Sequence, residues 1–307
     1  ANALESAMMI ILEGCEFSGK TTLGRKLELE YGLEYVHFAV PPADPLDYWM
    51  EDLRRLDTPA AVDRLHPSHL IYRRLFPNDQ LPASDHDLWL LEGWLLAHGG
   101  VIVKCLPPLV TVLKNQVNDP NGLYHGVNDV LNIYHEYQLR FPATVLPTVT
   151  YDYTRDNVAE TIKMVSSWQK IVSPELPLDV PGIGSACPLI TLVGERHNPR
   201  NFPRCRDPLV FRSGSGEYLH RALDAVGLSL QHIFLTNALW GDVEGAYRDL
   251  DASVLSGHVV ALGNEASRVL TRRGIKHQRV PHPQWWRRFK YHDRTGYGEA
   301  ILRAGGQ

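Results

Sequence analysis

The chain has 307 residues, 44% of them hydrophobic and 21% charged, with a formal net charge of −4 at pH 7. That is room for two domains of ordinary size, and the composition excludes a disordered chain, a collagen-like repeat and a disulfide-dense mini-protein. No apolar run approaches the roughly 20 residues of a membrane-spanning helix, and residues 1–7 lack the charged region and long apolar core of a secretory signal.

Taken in order, residues 8–12 form a short apolar run suited to a buried strand, and residues 22–33 a helix with Leu23, Leu27 and Tyr31 on one face. A strand is expected at 35–40, ended by Pro41 and Pro42, then an acidic amphipathic helix at 43–56. Residues 58–62 lead to Asp63-Arg64, and 66–76 follow as a helix with Pro67 in its first turn. Helices at 85–97, 109–117, 129–141 and 157–171 alternate with strands at 101–106 and 144–151, and 118–128 is a polar loop. Such alternation predicts an α/β fold with a parallel sheet covered on both faces. Residues 173–188 hold four prolines and two glycines and are the expected linker. The alternation then restarts, with strands at 189–193, 233–236, within 254–262 and at 277–280, and helices at 215–226 and 264–273. The expected layout is therefore one domain over 1–172 and a second, also α/β, over 189–307.

Charge divides unevenly between them. Residues 1–186 carry 14 Lys+Arg against 24 Asp+Glu, whereas residues 187–307 carry 17 against 11. A basic C-terminal part suits a polyanionic partner. Cys15, Cys105, Cys187 and Cys205 are scattered with no C-x-x-C, which points to reduced thiols in a cytoplasmic protein.

Gly14 to Thr21 fits G-x-x-x-x-G-K-[ST] between the first strand and the first helix. In that pattern backbone N–H groups of Gly14, Ser18, Gly19 and their neighbours cradle phosphates. Lys20 reaches the outer phosphates, the Thr21 hydroxyl holds Mg²⁺, and Thr22 opens the helix whose dipole adds to the anion site. ATP and Mg²⁺ are thus the expected cofactors. Asp63-Arg64, Ser68 and Tyr72 form the acceptor side, the last two four residues apart on one helical face. Asp63 suits a base or a metal partner, and Arg64 a phosphoryl grip.

Glu13-Gly14-x-Glu16-x-Ser18-Gly19-Lys20-Thr21-Thr22 and Asp63-Arg64-x-x-x-Ser68-x-x-x-Tyr72 together resemble the thymidylate kinase family of P-loop kinases. The resemblance spans about 8–170. It implies a three-layer α/β/α fold on a five-stranded parallel sheet, ATP·Mg²⁺ as donor and a pyrimidine-type acceptor. Where the family carries an Arg that grips the acceptor monophosphate, this chain has Val40-Pro41-Pro42, and Phe17 replaces a loop glycine. Arg64, Arg73 and Arg74 are the nearest substitutes.

Gly194-Glu195, Thr236-Asn237, Val259 to Gly263 and His282-Pro283, each expected at a C-terminal strand end, resemble the uracil-DNA glycosylase superfamily in that order. The resemblance implies a base-reading pocket with Glu195, Asn237 and His282, and a stacking aromatic at Leu209 or Phe211. Trp285, Trp286, Arg287, Arg288 and Lys290 interleave aromatics with cations, as nucleic-acid surfaces do. Joined, the two resemblances imply a kinase acting on a base within DNA, similar to the families that phosphorylate 5-hydroxymethyluracil in phage DNA. The alternatives are a deoxynucleoside monophosphate kinase, and a C-terminal part that is either a DNA-binding module or an active glycosylase.

Overall fold

The structure is a computed structural model; it describes residues 9–38, 44–56, 59–77, 82–118, 126–172, 182–196, 211–212, 214–241 and 247–306. The chain divides into two compact units, residues 1–84 with 98–171, and residues 85–97 with 172–307.

The first unit is a five-stranded parallel sheet of order β2-β3-β1-β4-β5. Its strands are β1 (Met9–Glu13), β2 (Glu34–His37), β3 (Ala60–Asp63), β4 (Gly100–Cys105) and β5 (Thr148–Tyr151). All five residues of β1 are buried, as a central strand covered on both faces requires. One layer packs Leu23 and Leu27 of α1 (Lys20–Tyr31) on Ile10, Leu12 and Val101. A second cluster joins Cys15 and Ile71 to Ile133 and Tyr137. It draws on α3 (His66–Leu75) and on α6 (Val127–Leu139). The expected α/β class with a parallel sheet therefore holds, and most elements fall within two or three residues of expectation. The strand β3 was not legible. Ala-Ala-Val-Asp has no length and little β-propensity, and it becomes a strand because β1 and β2 pair with it on both sides. Of the other helices, α2 (Pro45–Leu53), α5 (Leu109–Asn118) and α7 (Val158–Val172), the first is capped by the Asp44 side chain, which accepts from Asp47 N at 3.0 Å.

The second unit has a parallel sheet of order β11-β10-β7-β8. Its strands are β7 (Ile190–Arg196), β8 (Ile233–Gly241), β10 (His258–Leu262) and β11 (Gln278–Val280). Two short strands, β6 (Ile183–Gly184) and β9 (Tyr247–Asp249), pair antiparallel with β8. Helices α8 (Gly214–Asp224), α9 (Asn264–Arg272), α10 (Pro283–Phe289) and α11 (Arg294–Ala304) belong to this unit.

Three expectations change here. The helix at 85–97 is found where predicted, as α4 (Asp85–Ala97), but it belongs to the second unit. Residues 89–97 are buried without a break, so it is an interior helix rather than a one-faced cover. Gly93 lets it approach β6: a Cβ there would sit 3.0 Å from Ile183 Cβ and 3.2 Å from Leu230. The linker expected at 173–188 ends early. Residues 173–181 lie outside the described residues, while Ile183 and Gly184 are an edge strand. Finally, β8 runs nine residues, so Asn237 lies within a strand and not at its end. The last two helices, α10 and α11, begin at Pro283 and Arg294, where only polar and aromatic sequence was evident.

Candidate active site

The turn after β1 is built from unusual backbone. Gly14 has φ +153° and Gly19, the N-cap of α1, φ +86°. A side chain at Gly14 would strike the Cys105 carbonyl of β4, so the loop can lie this close to the sheet only with glycine there. Phe17 also sits at φ +62°, in the left-handed region that a bulky side chain seldom adopts. Asn115 of α5 (Leu109–Asn118) donates to the Phe17 carbonyl at 3.0 Å and to the Tyr153 hydroxyl at 2.7 Å, which ties the strained turn down. Neither Asn115 nor Tyr153 was legible in the sequence.

Inside the loop, Ser18 Oγ and Lys20 Nζ both donate to the Cys15 carbonyl, at 2.8 and 2.6 Å. Lys20 is 6% exposed, and burial, then the Arg64 charge, lower its pKa. An anion placed in the turn relieves both effects. The loop lines a cleft of about 660 Å³ together with Lys26, His37, Asp63 and Arg64.

Asp63 ends β3 at 1% exposure. Its Oδ2 accepts from Tyr35 Oη at 2.6 Å and from Thr21 Oγ1 at 3.2 Å, with His37 Nδ1 at 3.6 Å. Burial alone raises a carboxyl pKa. Here the neighbouring His37 imidazole, the Lys20 charge and the Tyr35 hydroxyl outweigh it and hold Asp63 at about 2. Its Oδ1 is buried with no hydrogen-bond partner. That orphaned oxygen, beside the Thr21 hydroxyl, fits a hydrated Mg²⁺, which would be held by Thr21 and Asp63 and would neutralise phosphate charge. Burial pushes Tyr35 up to about 12, helped by Asp63, so it stays a donor. The Tyr35 ring occupies the space a side chain at Gly24 would need.

The acceptor-side residues separate in space. Arg64, at φ +70°, lies 3.8 Å from Glu16 and 5.0 Å over the Tyr72 ring. Ser68, expected to face a substrate, points inward. Its hydroxyl is 2.5 Å from Glu13 Oε2 and 2.6 Å from Tyr137 Oη. Glu13 Oε1 also accepts from Leu65 N at 2.8 Å, so this buried carboxylate caps α3, whose N-cap residue has no side chain that can. Burial raises the Glu13 pKa. Arg73 is half-buried on α3, and Arg74 is paired with Glu136 of α6.

In the second unit the candidate residues fall into two groups, His282 beside Glu195 and Asn237 beside Gly194. Gly194 and Glu195 near the end of β7 and Gly263 after β10 lie where the connections leave these two neighbouring strands in opposite directions. Asn237 is the register partner of Gly194. A Cβ at Gly194 would lie 2.5 Å from Asn237 Oδ1 and 2.6 Å from the Phe211 ring. Gly263, at φ +111°, is likewise backed by the Glu195 carboxylate and by His282. His282 caps α10 by accepting from Gln284 N at 3.1 Å; burial lowers its pKa and Glu195 opposes this. Phe211 is held by His86 of α4, 3.1 Å from its carbonyl, while Leu209 lies outside the described residues. Trp286 is 9% exposed and packs on Tyr297, so it is core; Trp285 and Arg287, Arg288 and Lys290 are exposed.

A parallel sheet whose central strand runs through a glycine-lysine-threonine turn into a helix is the P-loop nucleotide-binding fold. The likenesses among solved structures are distant. They include the YorR protein from Bacillus subtilis, solved with phosphorylated GDP, at 20% identity over 53% of this chain and 96% of that one, TM-score 0.44. Deoxyadenosine kinase from M. mycoides, with bound dATP, is 12% identical over 52% and 98%, TM-score 0.30. Shikimate kinase from Acinetobacter baumannii is 16% identical over 53% and 95%, TM-score 0.34. No family model and no curated protein matches the chain. Among the described residues no helix is long and apolar enough to cross a membrane.

Proposed function

We propose that the first unit is an ATP- and Mg²⁺-dependent kinase. Its preferred acceptor is the hydroxymethyl group of 5-hydroxymethyluracil in phage DNA, and the second unit, uracil-DNA glycosylase-like, holds the base. The observation that carries the kinase reading is the convergence of Lys20, Thr21 and the half-satisfied Asp63 carboxylate on one cleft. The acceptor hydroxyl oxygen attacks the γ-phosphorus, the bond to the β–γ bridging oxygen breaks, and ADP leaves. Lys20 balances charge on the β- and γ-phosphates, and Gly14, Ser18, Gly19 and Thr22 shape the cradle. At about 2, the Asp63 carboxyl is too weak a base to strip the hydroxyl. This favours Asp63 as the metal partner, with water taking the proton.

The acceptor half of the reading rests on charge. A free monophosphate brings two negative charges that must be paired in the site. Arg64 already lies against Glu16 and Tyr72, and Arg74 against Glu136. A neutral hydroxyl on a base makes no such demand. Gly194, Phe211 and Asn237, which lie together, fit a base taken out of its stack.

Labelled ATP offered in parallel to hydroxymethyluracil-containing DNA and to thymidylate tests this. Label in DNA is expected, and Lys20→Ala should lower turnover by about 10²–10³-fold, in line with loss of a principal charge donor. Label in the thymidylate product alone establishes the nucleotide-kinase alternative. Abasic sites formed on modified duplexes, and lost in Asn237→Ala, would make the second unit a glycosylase.

A further inference from the structure

A second concavity, of about 520 Å³, lies on the second unit and is lined by Asn264, Ser267, Arg268, Thr271, Arg272 and Arg279. Its sequence origin is plain. In α9 the apolar Ala266, Val269 and Leu270 are buried, and Asn264, Arg268 and Arg272 recur every four residues on the outer face. Steps of four residues advance about 6 Å along a helix, within the span of one nucleotide of sugar–phosphate backbone. Arg279, from β11, donates to Asn264 Oδ1 rather than to a carboxylate. Arg268 is exposed and has no carboxylate within ion-pair distance among the described residues. The nearby acids are already engaged: Asp249 pairs with Arg272 at 2.6 Å, and Glu265 with Arg196 at 3.5 Å. The guanidinium groups of Arg268 and Arg279 are thus left without a carboxylate beside the Asp249-paired Arg272, in one hollow whose other lining is hydroxyl and amide.

The row has a direction. Asn264 follows Gly263, which is backed by Glu195 and His282, two residues of the proposed base site. The geometry points to a phosphate track: successive phosphates of one nucleic-acid strand lie on Arg272, Arg268 and Arg279, and the strand delivers a base into that site at Gly263. This rests on the reading of the second unit as base-binding, and it adds which surface carries the strand. Arginine forks fit phosphate oxygens two at a time, and the Thr271 hydroxyl is suited to a further contact. The chemistry is shared with a free phosphate or nucleotide, from which length of strand distinguishes it.

The test is fluorescence anisotropy of the full chain with a short labelled single-stranded oligodeoxynucleotide across a salt series. Wild type is compared with Arg268→Ala/Arg279→Ala and with Arg268→Lys/Arg279→Lys. The double alanine variant should bind about tenfold more weakly and lose about 1.5 from the slope of log affinity against log salt. The lysine variant should recover most of that slope, because the backbone term follows charge. ATP binding, measured alongside, should be unchanged in every variant. Equal affinity and slope in wild type and alanine variant would overturn the track while leaving base binding intact. No binding of the oligonucleotide by wild type would overturn both. Displacement by millimolar inorganic phosphate as effective as by unlabelled strand would make this a small-anion site and remove the strand from it.

Discussion

The two units assemble their candidate functional residues by different means. The first unit concentrates them in one contiguous turn, residues 14–21, where the backbone itself is the binding group and one strand end, Asp63, completes it. The second unit draws Gly194, Glu195, Phe211, Asn237, Gly263 and His282 from five separate segments, and two glycines are needed to bring their side chains close. A contiguous motif survives rearrangement elsewhere in the chain. Residues gathered from distant segments, as in the proposed base site, depend on the whole sheet and on whatever braces it, here including His86 of a helix from the first half of the sequence.

The largest expected effect breaks the naive form of that comparison, in which each half of the sequence is one unit. Leu95 lies in the first half but is fully buried in the second unit. Leu95→Ala should cost about 2–5 kcal/mol by lost contacts and a residual cavity. Hydrogen exchange should show the loss in β6 to β8, with β1, β3 and β4 keeping their protection; the reverse pattern would refute the assignment of α4.

An intermediate effect concerns how the first unit's contiguous turn is completed. Gly24→Ala normally stabilises a helix interior by nearly 1 kcal/mol. Here the added methyl displaces the Tyr35 ring, and the Tyr35–Asp63 hydrogen bond goes with it. Tyr35→Phe removes the hydroxyl alone. Both should weaken binding of ATP·Mg²⁺ by about tenfold, the worth of one such bond, with little change for ATP in chelator. Calorimetric titration with and without Mg²⁺ separates the two; equal weakening in both would show that Tyr35 does not act through the metal carboxylate.

The smallest effect distinguishes the units by acid. In the second, His86 of α4 and His220 of α8 stack with Trp89, at centroid distances of 5.7 and 4.5 Å. Burial lowers both pKa values, that of His220 to about 4. The acids that face them, Asp85, Asp87, Glu217 and Asp224, do not offset the burial. A depressed folded pKa gives stability that is present above the unfolded value and lost as pH falls, so this unit should weaken between about pH 6.5 and 4. Asp63 follows the same sign in a lower window, between about pH 4 and 2. Exchange protection followed against pH should therefore fade first around Phe211 and α4 and only later around β3. Simultaneous loss would show that one cooperative transition covers both.

Much of this was legible in the residues. The strand, turn and helix over 9–31 follow from an apolar run, fixed glycine positions and a helical stripe, all of which are local. The parallel class followed from alternation. The strand β3 was not legible, because Ala60 and Ala61 become strand residues through their neighbours' hydrogen bonds. Ser68 looked outward by spacing, but helical spacing fixes only which residues share a face. The buried Glu13 carboxylate decides that this face turns in. Tyr35 and Asn115 gave no signal, since a single tyrosine on a strand or asparagine on a helix acquires a role only from what lies opposite.

By itself, then, the sequence determined the phosphate turn, the two restarts of strand–helix alternation and the basic bias of the second half, since each is set by neighbours along the chain. Tertiary structure alone decided that residues 85–97 belong to the second unit, that Asn237 meets Gly194 from mid-strand and that Arg279 joins the face of α9. The physical reason is range. Backbone geometry and periodicity act over a few residues, whereas burial, close approach and charge pairing are properties of surfaces brought together from far apart in the chain.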